Sequence, residues 1–224
     1  MNNYKDVTET RTLTDTDDRL WTLYDKLAHD GTPESISREW KHEFYNAILE
    51  QVNNKSLVVQ AGGWQGVYPA LLSDIFKVVY TFEPDPVNFY CLTANCQKHN
   101  IFKFQAALGQ STGSAVYEEV ETSGQGRIQQ HQPWIMPVYN TYKVPMLSID
   151  SLSLEECGLI MLDTENLDYQ ILLGAINTIQ KFKPVIITEK SFKHDLNLKI
   201  IELLMQLGYH IKFEWAENFM FVQV

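Results

Sequence analysis

From Ser56 onward, short apolar runs alternate with segments whose apolar residues recur every three or four positions. Short apolar runs that contain β-branched residues are typical of buried strands, and the wider spacing is typical of amphipathic helices. Residues 56–108 therefore predict the order β-α-β-α-β, and residues 159–206 add strand, helix, strand and helix. Such alternation predicts a parallel sheet with right-handed crossovers. The five strand segments are SLVVQ, KVVYTFEP, FKFQAAL, LIMLDTEN and PVIITEK.

The C-terminal segment contains YHIKFEW and FMFVQV, separated by three residues. A turn this short joins only antiparallel strands, so the last strand should oppose the others. We therefore predict an α/β fold with a seven-stranded, mostly parallel sheet. Between the two strand-helix series, the glycine-rich residues 109–147 predict a hairpin and a long loop over one sheet edge.

The N-terminal segment is predicted to be an arm followed by two helices. Residues 1–16 are polar, and two amphipathic helices should follow a helix start near Asp17 and an N-cap at Ser35. Their apolar stripes comprise Leu20, Leu23, Tyr24 and Leu27, then Ile36, Trp40, Phe44, Ala47 and Ile48. We expect residues 1–55 to be an arm and a two-helix cap, and residues 56–224 to be one cofactor-binding domain.

Composition narrows the possible partners. The 224 residues carry a net charge of −10, and a pI near 5.0 argues against broad binding to nucleic acid phosphates. Three cysteines form no disulfide framework and lack zinc-site spacing, so no metal site is predicted and a reducing, cytoplasmic location is expected. Neither a signal peptide nor a membrane span is visible, so no membrane partner is expected.

The predicted sheet places two candidate ligand-binding features at the carboxyl ends of neighbouring strands. The first strand ends in a loop from Gln60 through Gly62, Gly63, Trp64 and Gly66, and the next ends at Glu83. Glycines allow backbone N–H groups to approach a ligand, and a carboxylate can accept hydrogen bonds from both ribose hydroxyls. Together they indicate an adenosine-containing cofactor. NAD and S-adenosylmethionine (SAM) both fit, but the G-G-x-x-G spacing and the final antiparallel strand favour SAM.

An ordered set of segments between residues 56 and 190 resembles the FkbM family of SAM-dependent methyltransferases. The segments are VVQAGGWQG, YTFEPDPVNFYCLTAN, FQAALGQSTG, VPMLSIDSL, LIMLDTENLDYQILLGA and PVIITE. The resemblance implies a Rossmann-like class I methyltransferase fold. It also implies SAM as methyl donor, S-adenosylhomocysteine (SAH) as product, and usually a hydroxyl oxygen as acceptor.

The same resemblance assigns roles to individual residues. Gly62 and Gly66 would flank the methionine part of SAM, and Glu83 would hold the ribose. Pro84 and Asp85 would shape the adenine side. Gln105 and Ala106 would lie against the adenine, and Asp163 and Glu165 would face the site of methyl transfer.

Three positions depart from the family pattern. Gln60 replaces an acid at the end of the first strand, where it could still accept a hydrogen bond from the SAM ammonium without the charge-assisted part. Asn166 replaces a glycine, whose left-handed conformation asparagine tolerates, and Asp168 replaces a glutamate. These departures leave a catalytically silent SAM-binding or scaffold protein as an alternative.

Candidate catalytic residues are Asp163, Glu165 and His194. Either acid could be the general base, although acids at this position could also stabilise a helix N-terminus. His194 follows the fifth strand, and its imidazole could be a base or simply lie in a loop. The indole of Trp64 could limit solvent access at the cofactor or pack under the N-terminal helices. His131 could touch the acceptor.

The predicted function is SAM-dependent O-methylation of a hydroxyl on a small molecule or carbohydrate. The alternatives are the silent SAM-binding protein and an NAD-dependent oxidoreductase, which NAD(H) rather than SAM would stabilise thermally.

Overall fold

A computed structural model describes residues 10–16, 18–24, 43–120, 126–129 and 137–223. The helices and strands follow in chain order. The strands are β1 Arg11–Thr14, β2 Leu20–Leu23, β3 Leu57–Ala61, β4 Val78–Phe82, β5 Ile101–Phe104, β6 Ala107–Leu108, β7 Gly113–Glu119, β8 Arg127–Ile128, β9 Asn140–Leu147, β10 Leu159–Leu162, β11 Val185–Glu189, β12 Tyr209–Glu214 and β13 Asn218–Gln223. The helices are α1 Glu43–Gln51, α2 Val67–Leu72, α3 Pro86–Asn95, α4 Asp168–Leu173, α5 Ile176–Phe182 and α6 His194–Gln206, with a 3-10 helix at Ile149–Leu152.

The main sheet has the strand order β12-β13-β11-β10-β3-β4-β5. Strand β13 is antiparallel to both neighbours, and the other pairs are parallel, which confirms the predicted seven-stranded sheet. The chain passes from β3 to β4 and β5, and then returns to the other side of β3 at β10. The switch point of the sheet therefore lies between β3 and β10, where ligands bind in folds of this kind.

Alternate strand residues face two hydrophobic layers. On one face, Val58, Leu159 and Met161 pack with residues of α1, α2 and α3. On the other, Val59, Ile160 and Leu162 pack with α4, α5 and α6. The sheet is thus covered on both sides, as a mostly parallel sheet requires.

The crossover from β5 to β10 contains a second sheet, followed by the 3-10 helix. Residues 102–108, predicted as one strand, are divided between β5 and β6, and β6 joins a four-stranded sheet of order β6-β9-β7-β8. We call this second sheet the accessory sheet. It packs on the α4 to α6 face of the main sheet through Leu108, Tyr117 and Val144. Within the predicted hairpin and loop, β7 pairs antiparallel with both β8 and β9, and residues 121–125 and 130–136 lie outside the described residues.

The first predicted N-terminal helix is wrong. Strands β1 and β2 form an antiparallel hairpin, which we call the N-terminal hairpin. Its turn is closed by the Asp15 carboxylate, which accepts hydrogen bonds from the Arg19 N–H at 2.9 Å and from Trp21 Nε1 at 3.0 Å. Trp21 and Leu23 are buried while Leu20 is 69% exposed, which is strand periodicity rather than helical periodicity. Strand β1 also replaces part of the predicted arm.

The second predicted helix is present as α1, with Ala47 and Ile48 buried as expected. The described residues do not include its predicted start at Ser35 or its residues Ile36 and Trp40. They also do not include Leu27 of the first predicted helix. The single helix predicted after β10 is divided into α4 and α5 at Gly174. A side chain on Gly174 would meet the Gly109 carbonyl oxygen at 2.3 Å. None of the helices in the described segments is long and apolar enough to cross a membrane.

Candidate active site at the switch point of the sheet

The loop after β3, residues 62–66, is held in an unusual backbone conformation. We call it the glycine loop. Gly62 and Gly66 have φ angles of +80° and +97°, a region that favours glycine. A β-carbon on Gly62 would lie 1.7 Å from the Asp163 carbonyl oxygen, so the backbone segments that follow β3 and β10 are in close contact. Trp64 also has a positive φ, of 43°, which costs a non-glycine residue about 1–2 kcal/mol.

Glu83 follows β4 directly and faces the glycine loop. Its side chain is only 5% exposed. One carboxylate oxygen accepts the Trp64 N–H at 2.7 Å, and the other accepts the Asp85 N–H at 2.8 Å. A carboxylate offers about four acceptor sites, so two backbone bonds can orient it while it still accepts from a ligand. This geometry suits a bidentate contact with two adjacent hydroxyls.

Gln60 lies inside the protein rather than at the loop surface. Its side chain is 0% exposed. The amide nitrogen donates to the Ala61 and Gly62 carbonyls at 3.1 and 2.8 Å, and the amide oxygen accepts the Thr81 hydroxyl at 2.5 Å. The arrangement favours a role in shaping the glycine loop over the predicted contact with an ammonium group.

The residues predicted to lie on the adenine side follow the ends of β4 and β5. Pro84 is half-buried and Asp85 is buried, where its carboxylate caps α3 by accepting from the Val87 and Asn88 N–H groups at 2.9 Å. Directly after β5, Gln105 is exposed and Ala106 is buried. The structure therefore brings these residues to the same edge as Glu83, whose N–H donates to the Phe104 carbonyl at 3.1 Å.

Four acids meet where β10 and β11 end. Asp163, Glu165 and Asp168 follow β10, and Glu189 ends β11. Burial and the neighbouring carboxylates raise the pKa of Glu165 to about 7, and the same causes raise the pKa of Glu189 well above its usual range. A carboxyl group with a pKa near 7 is suited to proton transfer at neutral pH. Among the described residues, no cluster of His, Cys, Asp and Glu side chains is placed to hold a metal ion.

A cleft of about 410 Å³ opens beside these acids. Its described lining comprises Glu165, Glu189, Lys190, Ser191, Phe192, Asn197, Ala216 and Glu217. Phe192 is 89% exposed, so an apolar ring stands among polar groups. His194 is not part of this lining: it is the exposed first residue of α6. His131 lies outside the described residues.

Comparisons with known proteins identify the family and support the fold. A family model described as the methyltransferase FkbM domain matches residues 51–211. The chain belongs to the FkbM methyltransferase family. The FkbM methyltransferase of Methylobacillus flagellatus KT has a similar structure, with a TM-score of 0.60 and 17% identity over 82% of this chain and 47% of that chain. This chain thus spans about half the length of that relative.

An rRNA methylase of Streptococcus thermophilus is also similar, with a TM-score of 0.50 and 11% identity over 82% of this chain and 96% of that chain. At these identities the likeness shows the fold alone. No curated protein matches the sequence significantly.

In this FkbM-family chain, the accessory sheet supplies residues that the sequence did not reveal. The Tyr142 hydroxyl donates to the Asp85 carboxylate at 3.4 Å. Arg127 pairs with Glu118 at 2.8 Å, and its charge lowers the pKa of Glu165 against the larger effect of burial. Only the packing of the accessory sheet brings Tyr142 and Arg127 to this edge, so no local sequence signal could have found them.

Asp168 gives this FkbM-family protein an expected pH dependence. It accepts from the Thr164 hydroxyl at 2.5 Å and the Glu189 N–H at 3.0 Å, and burial raises its pKa to about 7. Between pH 4 and 7 the folded state therefore holds a proton that the unfolded state releases, so this group lowers stability as pH rises. The free energy of unfolding should therefore fall between pH 4.5 and pH 7.5, and Asp168 should account for a part of that fall on the order of a few kcal/mol. We expect Asp168→Asn to lack that part, as measured by denaturant unfolding at the two pH values.

The matched control is Asp195→Asn, which changes an exposed acid in the first turn of α6. Its pH profile should parallel that of the unmodified protein. A parallel profile for Asp168→Asn as well would show that Asp168 is ionised in the folded state.

Proposed function

We propose that this protein transfers the methyl group of SAM to a hydroxyl oxygen of a small molecule or carbohydrate. The observation that carries the proposal is the Glu83 carboxylate, buried and oriented by the Trp64 and Asp85 N–H groups beside the glycine loop. A carboxylate in that place suits the two ribose hydroxyls of SAM. Gly62 and Gly66 would flank the methionine part, with Pro84, Gln105 and Ala106 on the adenine side.

The acidic residues after β10 are proposed to act on the acceptor. SAM supplies an activated methyl group with SAH as the leaving group, so the protein contributes alignment and proton removal. Glu165 lines the cleft, and its raised pKa suits it to take the hydroxyl proton of the acceptor. Asp163, two residues earlier, would help to orient the acceptor or the amino group of SAM.

The cleft is proposed to hold the acceptor. The carboxyl groups of Glu165, Glu189 and Glu217 can form hydrogen bonds with hydroxyl groups, and the exposed ring of Phe192 offers an apolar face. This mixture suits a polyhydroxylated ring compound, such as a sugar, better than a wholly apolar one.

The proposal predicts label transfer from methyl-labelled SAM to at least one member of a panel of hydroxylated acceptors. Glu165→Gln should lower the rate by about 100-fold, because general base catalysis contributes 10²–10⁴-fold, and should leave SAH affinity within about 3-fold. Glu202→Gln, an exposed change on α6, is the matched control. An unchanged rate in Glu165→Gln would remove the base assignment. SAM binding without transfer to any acceptor would favour the silent SAM-binding alternative.

A further inference from the structure

The N-terminal hairpin is docked on the glycine loop by two side-chain amides. Gln65 lies in that loop and is buried. Its amide nitrogen donates to the Tyr24 carbonyl at 2.8 Å, and its amide oxygen accepts the Tyr24 N–H at 3.1 Å. One side chain thus satisfies both backbone groups of a residue 41 positions away.

Asn95, the last residue of α3, repeats this arrangement two residues earlier on the hairpin. Its amide oxygen accepts the Thr22 N–H at 2.7 Å, and its amide nitrogen donates to the Thr22 carbonyl at 2.8 Å. The same nitrogen also donates to the Gln65 carbonyl at 2.7 Å. Gln65 and Asn95 therefore cover the outer edge of β2 and tie it to the glycine loop.

Apolar packing strengthens this connection. Trp21 and Leu23 form a buried cluster with Val67 at the start of α2, and Trp64 packs against it. Tyr24 packs with Val87 and Cys91 of α3. The Trp64 side chain thus contacts the N-terminal segment, which was one of its two predicted roles, although that segment is a hairpin and not a helix.

The docked hairpin contacts Trp64, and Trp64 in turn orients Glu83. The left-handed backbone of Trp64 is unfavourable for a non-glycine residue and needs surrounding contacts to hold it. In that conformation its N–H donates to the Glu83 carboxylate. A two-stranded hairpin is marginally stable by itself, so the order of the hairpin depends in turn on the loop that holds it.

We propose that the N-terminal hairpin is a component of the cofactor site, with Gln65 and Asn95 as positioning residues that couple hairpin docking to the orientation of Glu83. The inference rests on the proposed binding of SAM. Because coupling is reciprocal, the hairpin should favour cofactor binding and the cofactor should favour hairpin docking.

Amide hydrogen exchange of the unmodified protein, with and without SAH, tests the coupling. The Thr22 and Tyr24 N–H groups should gain protection of up to about 100-fold at an SAH concentration 100 times its Kd. SAH binding with unchanged exchange at both amides would overturn the inference and leave the proposed function intact. No SAH binding by calorimetry would overturn both.

A variant provides the second measurement. Gln65→Met keeps a side chain of similar length but removes both bonds to Tyr24, and it should raise the Kd of SAH about 10-fold. The matched control is Gln97→Ala, which removes an exposed amide that donates to the Thr93 and Ala94 carbonyls and should leave the Kd unchanged. An unchanged Kd in a folded Gln65→Met protein contradicts the inference. If Gln65→Met does not fold, the exchange measurement decides.

Discussion

Glu83→Ala is expected to raise the Kd of SAH by at least about 100-fold. Two hydrogen bonds from ribose hydroxyls to a carboxylate contribute about 1.5–3 kcal/mol each, and each 1.4 kcal/mol is tenfold in affinity. The change also removes the carboxylate that accepts from the half-buried Trp64 N–H and the buried Asp85 N–H. Calorimetric titration with SAH measures the effect directly.

Two further variants make the Glu83 experiment specific. Glu83→Gln keeps one acceptor oxygen but loses the charge, so its affinity should lie between those of the unmodified protein and Glu83→Ala. Glu155→Ala removes an exposed acid between the 3-10 helix and β10 and should leave the Kd unchanged. An unchanged affinity in Glu83→Ala would refute the ribose assignment.

Gly62→Ala is expected to destabilise the fold by more than about 3 kcal/mol. Its β-carbon would lie 1.7 Å from the Asp163 carbonyl oxygen. That oxygen belongs to the backbone and the position of a β-carbon is fixed by its own backbone, so neither atom can rotate away. The φ angle of +80° adds the cost of a left-handed conformation for a residue with a β-carbon. Single changes of this size are exceptional and require a mechanism of this kind.

The matched control for Gly62→Ala is Gly113→Ala. Nothing lies within 4 Å of a β-carbon at Gly113, which begins β7 in the accessory sheet, so its unfolding free energy should stay within about 0.5 kcal/mol. Denaturant unfolding of the unmodified protein and the two variants measures these free energies. Equal stability of Gly62→Ala and Gly113→Ala would contradict the close contact between the ends of β3 and β10.

The main sheet could be predicted because each of its strands carries a local signal. The runs LVV in β3 and LIML in β10 are continuously apolar because both strands are buried on both faces. The direction of β13 followed from its three-residue connection to β12. The candidate residues Gly62, Glu83 and Asp163 could be placed at one edge for the same reason, since parallel strands end together.

The N-terminal hairpin could not be predicted because the same residues fit both helical and strand periodicity. Leu20, Leu23 and Tyr24 have helical spacing, whereas Trp21 and Leu23 have strand spacing. The structure has a strand here because Trp21 and Leu23 are buried against Val67 and Trp64, which lie far away in the sequence. The bonds from Gln65 and Asn95 to β2 likewise depend on tertiary packing.

Titration of the unmodified protein with SAH, alongside a parallel titration with NADH, tests the central proposal that this site holds SAM. Saturable binding of SAH with one site per chain, and no binding of NADH, is the predicted result. Absence of detectable SAH binding at millimolar concentration would contradict the proposal, and binding of NADH alone would favour an oxidoreductase.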